Sequence, residues 1–267
     1  MAVKEIVKPI ILQRADPWIY KHTDGYYYFT ASVPEYDRIE IRRSKTINGL
    51  AEEAGVTIWR KHEEGMLSAN IWAPEIHYID GKWYVYFAAA RTTETKEGLF
   101  DHRIFVLENE SENPLEGSWV EKGQLKTNWE SFALDATTFE HKGIRYLVWA
   151  QKDPNICGNS NLYIAKMSNP WTIEGKQVMI TEPEYDWEKI GFLVNEGPAV
   201  INRNGKIFIS YSASATDFNY CMGVVIADEN SDLLNKDSWH KSETPVFKTD
   251  EEKEIYGPGQ YCFTVSE

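Results

Sequence analysis

The sequence predicts an all-β propeller fold, and three observations point there. One pattern of turn and strand residues recurs about every sixty residues. Each copy has length for four strands, the size of a propeller blade. The composition is 13% aromatic, from 10 Trp, 15 Tyr and 11 Phe, a supply that suits a β-rich core or a sugar-binding surface.

Within each copy the elements follow in order. The innermost strand of a blade starts at Ala15-Asp16-Pro17-Trp18, Trp72-Ala73-Pro74-Glu75, Ala133-Leu134-Asp135-Ala136 and Val194-Asn195-Glu196-Gly197-Pro198. A turn dipeptide ending in Gly follows: Asp24-Gly25, Asp80-Gly81, Lys142-Gly143 and Asn204-Gly205. Such pairs reach the positive φ of a tight hairpin, and the runs behind them, such as Trp83-Tyr84-Val85-Tyr86-Phe87, have strand chemistry. A third apolar strand comes next, at Arg38–Ile41, Ile104–Leu107, Leu162–Ala165 and Val224–Ala227. A fourth is marked by Trp59, Trp119, Trp171 and Trp239. The predicted blades cover residues 14–70, 71–130, 131–190 and 191–250 of a single domain. Asn48 to Ala54 carries a weak helical signal that reads equally as a loop turn, and the acidic run Asp250 to Glu254 reads as a solvated loop.

Composition narrows the functional classes. Lys+Arg 28 against Asp+Glu 41 leave a net charge of −13, which repels phosphate backbones and anionic lipid and argues against nucleic-acid or membrane partners. No apolar run approaches the ~18 residues of a spanning helix. The first residues, Met1 to Glu5, lack the apolar stretch of a secretory leader. Cys157, Cys221 and Cys262 form neither a CxxC pair nor an even set. These features set the expectation of a cytoplasmic protein with reduced thiols. None of the six histidines pairs at zinc-like spacing.

The repeat also delivers a carboxylate near the start of every inner strand: Asp16, Glu75, Asp135 and Glu196, again about sixty residues apart. Rotation about the propeller axis gathers such positions into one ring. Like charges brought together are costly unless one is protonated or hydrogen-bonded, and separated pKa values are what acid/base cleavage of a glycosidic bond needs. Taken singly, each acid suits a structural role. Asp16 precedes Pro17 and suits a turn, and Glu75 reads as a buried strut bonding inner-strand amides. Asp135 lies in an apolar stretch where an unpaired carboxylate is expensive, and Glu196 has no partner in its own segment. In register across the repeats, Asp16, Asp135 and Glu196 form the candidate catalytic set.

At these residues the chain resembles the family-43 glycoside hydrolases. The resemblance runs from Ala15 to the C-terminus and is carried by Ala15-Asp16-Pro17, Trp72-Ala73-Pro74-Glu75, Leu134-Asp135-Ala136, Asn195-Glu196-Gly197-Pro198 and Gly257-Pro258-Gly259. It implies a five-bladed β-propeller acting on arabinose- or xylose-containing saccharides. The stretch from Asp24 to Arg43 looks most like the exo-acting α-L-arabinofuranosidase branch. The resemblance further implies an inverting mechanism, with Asp16 as general base, Glu196 as general acid and Asp135 as the group that positions the acid and keeps its pKa high. Trp72, Asn195 and Gln151 are the candidate substrate-binding residues, whereas Trp18, Phe132, Trp149 and Tyr211 are expected in the core. Many relatives carry His after the fifth-blade Gly-Pro-Gly, and here Gln260 stands there. Its amide oxygen can still meet a hard cation, so calcium near the axis is allowed but no cofactor is required.

Three rival readings stay open. A β-xylosidase of the same family would differ in its sugar pocket, and a non-catalytic sugar-binding propeller would bind without hydrolysis. The retaining fructan hydrolases lack support, because their Arg-Asp-Pro and Glu-Cys signatures are absent. At about sixty residues per blade, four blades reach about residue 250 and residues 255–267 supply only the start of a fifth. The expectation is therefore a chain one blade short, with an exposed edge beside blades one and four.

Overall fold

Four sheets of four antiparallel strands succeed one another along the chain in the computed structural model, which describes residues 9–266. Blade one comprises β1 (Ala15–Lys21), β2 (Tyr27–Ser32), β3 (Arg38–Ser44) and β4 (Val56–Arg60). Blade two comprises β5 (Ala69–Ile79), β6 (Lys82–Ala90), β7 (Arg103–Asn109) and β8 (Val120–Gln124). Blade three is β9 (Ala133–His141), β10 (Ile144–Gln151), β11 (Asn161–Asn169) and β12 (Thr172–Thr181). Blade four is β13 (Asn195–Arg203), β14 (Lys206–Ala213), β15 (Cys221–Asp228) and the short β16 (His240–Lys241). Every blade is a meander in sequence order. Asn48–Ala51 forms a single 3-10 turn and Glu251–Lys253 another, the latter exposed. Among the described residues no helix is long and apolar enough to cross a membrane.

Three of the four predicted hairpins are two-residue turns. Asp80-Gly81, Lys142-Gly143 and Asn204-Gly205 all take positive φ at both positions, as a type I′ turn requires. The first differs: only Gly25 is left-handed, and Asp24 instead accepts hydrogen bonds from the Tyr26 amide and the Tyr28 hydroxyl across a wider loop.

The middle strands do not alternate. β6 is buried along all but its first residue because neighbouring blades cover both faces, and β2 along its whole length because blade two covers one face while Ile10, Ile11, Ile47 and Leu50 cover the other. Aromatic rings fill the seams: Tyr28 and Trp83 between blades one and two, Tyr86 and Trp149 between two and three, Tyr146 and Tyr211 between three and four. Burying each such ring contributes on the order of 1.5–3 kcal/mol.

The inner strands pack in series, β1 on β5, β5 on β9 and β9 on β13. Each carries a bulge near its start, seen as a register slip and a left-handed residue at Asp16, Ala73, Asp135 and Gly197. Three of these precede a proline, which has no amide to offer a ladder and so sits comfortably at a bulge. The left-handed residue also ties blades together. The Ala73 amide donates to Ser32 Oγ of the blade before (2.8 Å), and the Gly197 amide to Asp135 Oδ2 (3.0 Å).

Four blades are seen, and the expected start of a fifth, residues 255–267, is not formed as a strand among the described residues. Residues 256–266 form no strand, since they meet their neighbours through scattered bonds and no ladder. Those bonds place them between blades four and one. The Gln260 amide donates to Ser212 Oγ (2.8 Å), and the Tyr27 hydroxyl donates to the Val265 carbonyl (2.8 Å). Gln260 is itself left-handed, with φ 51.

Candidate active site

At the end of the propeller where the inner strands begin, a cavity of about 560 Å³ contains Asp16, Asp135 and Glu196 in its wall. Topology decides what surrounds them. An antiparallel meander returns its second strand to the end where the first began. The loops after second strands therefore rim the mouth, bringing Tyr36, Phe100, Asn159 and Tyr220, the connections between blades bring Phe132 and Phe192, and the segment before β1 brings Arg14.

The four ring carboxylates are not equivalent. Asp16 and Asp135 occupy the left-handed bulge residue itself, Glu196 the residue before it, and Glu75 two residues beyond Ala73. That offset sends Glu75 down the strand, away from the cavity. It is buried against His77, whose Nε2 lies 3.1 Å from Glu75 Oε2. Burial, with bonding to Thr137 opposing and the Asp135 charge adding, raises the Glu75 pKa well above its ordinary value, and burial and Arg145 press His77 down to about 3. The two side chains meet beneath the cavity and leave Glu75 outside its wall.

The remaining three acids share one apolar-walled space under different constraints. Asp16 is partly open to the cavity and accepts a 2.6 Å bond from Ser32 Oγ. Burial raises its pKa, while Ser32 and the Ala73 amide oppose the rise by stabilising the carboxylate. Asp135 is buried, and its Oδ2 receives the Gly197 amide beside Glu196. Burial first, then the charges of Glu196 and Asp16, drive its pKa well up. Glu196 accepts a 2.8 Å bond from the Tyr220 hydroxyl. Burial carries its pKa to about 7, with Tyr220 pulling down and Asp16 pushing up. A carboxyl whose pKa lies near neutrality thus shares the cavity with one stabilised by both a hydroxyl and a backbone amide, a division that acid/base chemistry can use. Among the described residues no cluster of His, Cys, Asp and Glu is grouped to hold a metal ion.

The structure separates the three residues expected to bind substrate. Trp72 lines the cavity, backed by His102 (ring centroids 4.1 Å) and edge-on to Phe100 (4.9 Å), with its indole N–H buried and unpartnered. Asn195 and Gln151 correct the expectation. Both are fully buried and lie off the cavity. Asn195 accepts from Thr181 and donates to Glu188, while Gln151 accepts from Trp149 and Gln177 and donates to Thr127 and Ser131. Amides so fully committed have nothing left for a sugar hydroxyl. Of the aromatics expected in the core, Trp149 and Tyr211 are there and Trp18 packs partly buried against it, but Phe132 reaches the cavity wall. Sequence reasoning missed Arg14, Tyr36, Phe100, Phe192 and Tyr220. Only their position in the mouth-side loops marks them.

Comparison with known proteins places this geometry. Residues 6–267 match the profile of the family described as Glycosyl hydrolases family 43. The "Extracellular exo-alpha-(1->5)-L-arabinofuranosidase" of Streptomyces avermitilis is 58% identical over 97% of this chain and 53% of its own length. The protein of the same name from Streptomyces chartreusis is 54% identical over 97% of this chain and 78% of its own. The crystal structure of an alpha-L-arabinofuranosidase from Lactobacillus brevis superposes with a TM-score of 0.97 at 58% identity, covering 98% of this chain and 82% of that one. The chain spans about half the length of the Streptomyces avermitilis relative. Two of these relatives are named extracellular, which overturns the cytoplasmic expectation. Odd cysteines do not decide a compartment when, as with Cys221, a thiol is packed as a small apolar group.

Proposed function

The chain belongs to glycosyl hydrolases family 43, and from that premise we propose that it removes terminal α-L-arabinofuranosyl residues from arabinan or arabino-oligosaccharides with inversion of configuration. The observation that carries the reading is one cavity holding three carboxyl groups with different hydrogen-bond environments. The exo-acting arabinofuranosidase names of the relatives supply the substrate class.

In this reading Asp16 is the general base. The Ser32 hydroxyl keeps a negative oxygen available to take a proton from water as that water attacks the anomeric carbon. Glu196 is the general acid. It is protonated below about pH 7 and hands its proton to the departing glycosidic oxygen as the C–O bond breaks. Asp135 holds the strand at Glu196 through the Gly197 amide, while the Asp16 charge raises the cost of ionising the acid. Base and acid on opposite sides of the sugar, with space for water, are what inversion demands. Trp72 is the aromatic wall against which a sugar C–H face packs. The scheme calls for no cofactor; whether calcium sits at the axis is a question for metal analysis of the purified protein.

Residues 256–266 are read as the inner strand of a fifth blade. Gln260 repeats the left-handed residue of the four inner strands, and its amide reaches back to Ser212 as that of Ala73 reaches back to Ser32.

Asp16→Asn and Glu196→Gln should each lower turnover on arabino-oligosaccharide by about 10²-fold or more, and near-wild-type rates in either variant would sink the assignment. NMR of a fresh digest should show the β-anomer of arabinose first. Faster cleavage of p-nitrophenyl xyloside than of the arabinofuranoside would favour a xylosidase instead, and binding of arabino-oligosaccharide without turnover a sugar-binding module.

A further inference from the structure

Tyr220 is a buried phenol in the loop before β15, and the chemistry just described gives it no task. Its hydroxyl donates to Glu196 Oε1 at 2.8 Å. Ser212 stands directly across the β13–β14 ladder from Glu196 and close enough to that same hydroxyl to favour its ionised form. The Gln260 amide donates to Ser212 Oγ at 2.8 Å. A backbone amide can only donate, so Gln260 fixes Ser212 from one side, and the Tyr220 hydroxyl beside Ser212 donates on to Glu196. The base side is built alike but shorter, with the Ala73 amide on Ser32 and Ser32 directly on Asp16. The acid side differs by one inserted tyrosine.

The tyrosine is clamped. A Cβ at Gly259 would overlap the Tyr220 ring, and one at Gly197 would overlap the Gln260 side-chain amide, so two glycines let the backbone close on both residues. The Tyr220 amide is bound in turn to the Asp217 carbonyl (3.1 Å).

We infer that Tyr220 is the positioning residue of the acid: its hydroxyl occupies Glu196 Oε1, so the transferable proton resides on Oε2, and the segment Gly259-Gln260 sets that orientation through Ser212. The inference rests on the reading of Glu196 as general acid. It assigns the segment Gly259-Gln260, itself part of the cavity wall, a part in positioning the acid. Tyr220 also tunes the acid, since its donated bond favours the carboxylate and holds the pKa below the value that burial alone would set.

The test compares wild type, Y220F, G259A and E196Q by pH profile and by a series of aryl arabinofuranosides of rising leaving-group pKa. Y220F should lower kcat about tenfold with little change in KM, and move the alkaline limb of kcat/KM upward by about one pH unit, the worth of one hydrogen bond to a charged group. Its rate loss should grow with leaving-group pKa, because poor leaving groups need the proton most. G259A, which displaces the ring and leaves the phenol intact, should reproduce the limb shift and keeps the test alive if Y220F does not fold. An unmoved alkaline limb, or a loss equal for all leaving groups, in whichever of the two variants folds overturns the inference and makes Tyr220 a packing residue. The acid assignment is read separately: E196Q with no dependence on leaving-group pKa would remove Glu196 itself.

Discussion

Two glutamates of the fourth blade region, Glu188 fully buried and Glu196 partly open to the cavity, lie eight residues apart in sequence and are treated by the fold in opposite ways. Glu188 is saturated. It accepts the amides of Glu184 and Tyr185, the Asn195 side chain, the Tyr211 hydroxyl and the Lys241 ammonium at 3.0 Å. Glu196 has one neutral donor, Tyr220, and two acidic neighbours, Asp16 and Asp135. A buried carboxylate with a full set of donors holds structure. One left short of them keeps its proton towards neutral pH and has it to give. Burial by itself does not separate scaffold from site, since Asp135 lines the cavity and is buried as Glu188 is. Donor count does.

The contrast can be broken at either end. Its largest consequence is the loss of turnover given above for Asp16→Asn and Glu196→Gln, with the fold retained. The mirror experiment is Lys241→Met, which strands the Glu188 charge in the interior. It should cost about 3–5 kcal/mol of stability by denaturant unfolding, while kcat/KM of the folded fraction holds. An equal fall in activity would place Glu188 in the site after all.

A subtler effect concerns the pH dependence of stability. The folded pKa of Glu196, about 7, lies above its ordinary 4.5, so the folded state keeps a proton that the unfolded chain releases. Its contribution to stability is full below about pH 4.5 and is lost as pH rises through 7. Glu196→Gln removes that titration, so the variant should melt a few degrees above wild type at pH 8, with the gap closing at pH 4. A gap that widens towards acid pH would contradict a raised pKa.

The smallest effect belongs to an exposed pair. Lys206 and Asp228 meet at 3.2 Å with both side chains about half exposed, and Lys206→Ala should change stability by no more than about 0.5 kcal/mol. A larger loss would show that partner count alone does not set the worth of a charge here.

Much of this was legible in the sequence. Asp80-Gly81, Lys142-Gly143 and Asn204-Gly205 announce tight turns because few residues tolerate positive φ, and the strands between them follow from β-branched and aromatic runs. The acids Asp16, Asp135 and Glu196 were found because a repeat with fixed period must stack equivalent residues about an axis. The same reasoning erred on Asn195 and Gln151. Both stand next to the cavity in sequence or strand order, yet the pleat turns them into the seams, where neighbouring polar groups claim every amide atom. Tyr220 and Phe100 were invisible for the converse reason. They lie on loops with no periodicity, and only the return of each second strand to the mouth brings them there.

By itself, then, the sequence determined the blade grammar, the turns and the three acids, because these depend on local backbone preference and on a spacing that can be counted. Tertiary structure alone decided the offsets of one and two residues from the bulges, which aim Glu196 into the cavity and Glu75 down the axis, and the donors each carboxyl receives. Those donors come from a paired strand, another blade or a loop, and a carboxyl's chemistry is set by what stands within about 3 Å of it, a distance that sequence separation does not encode.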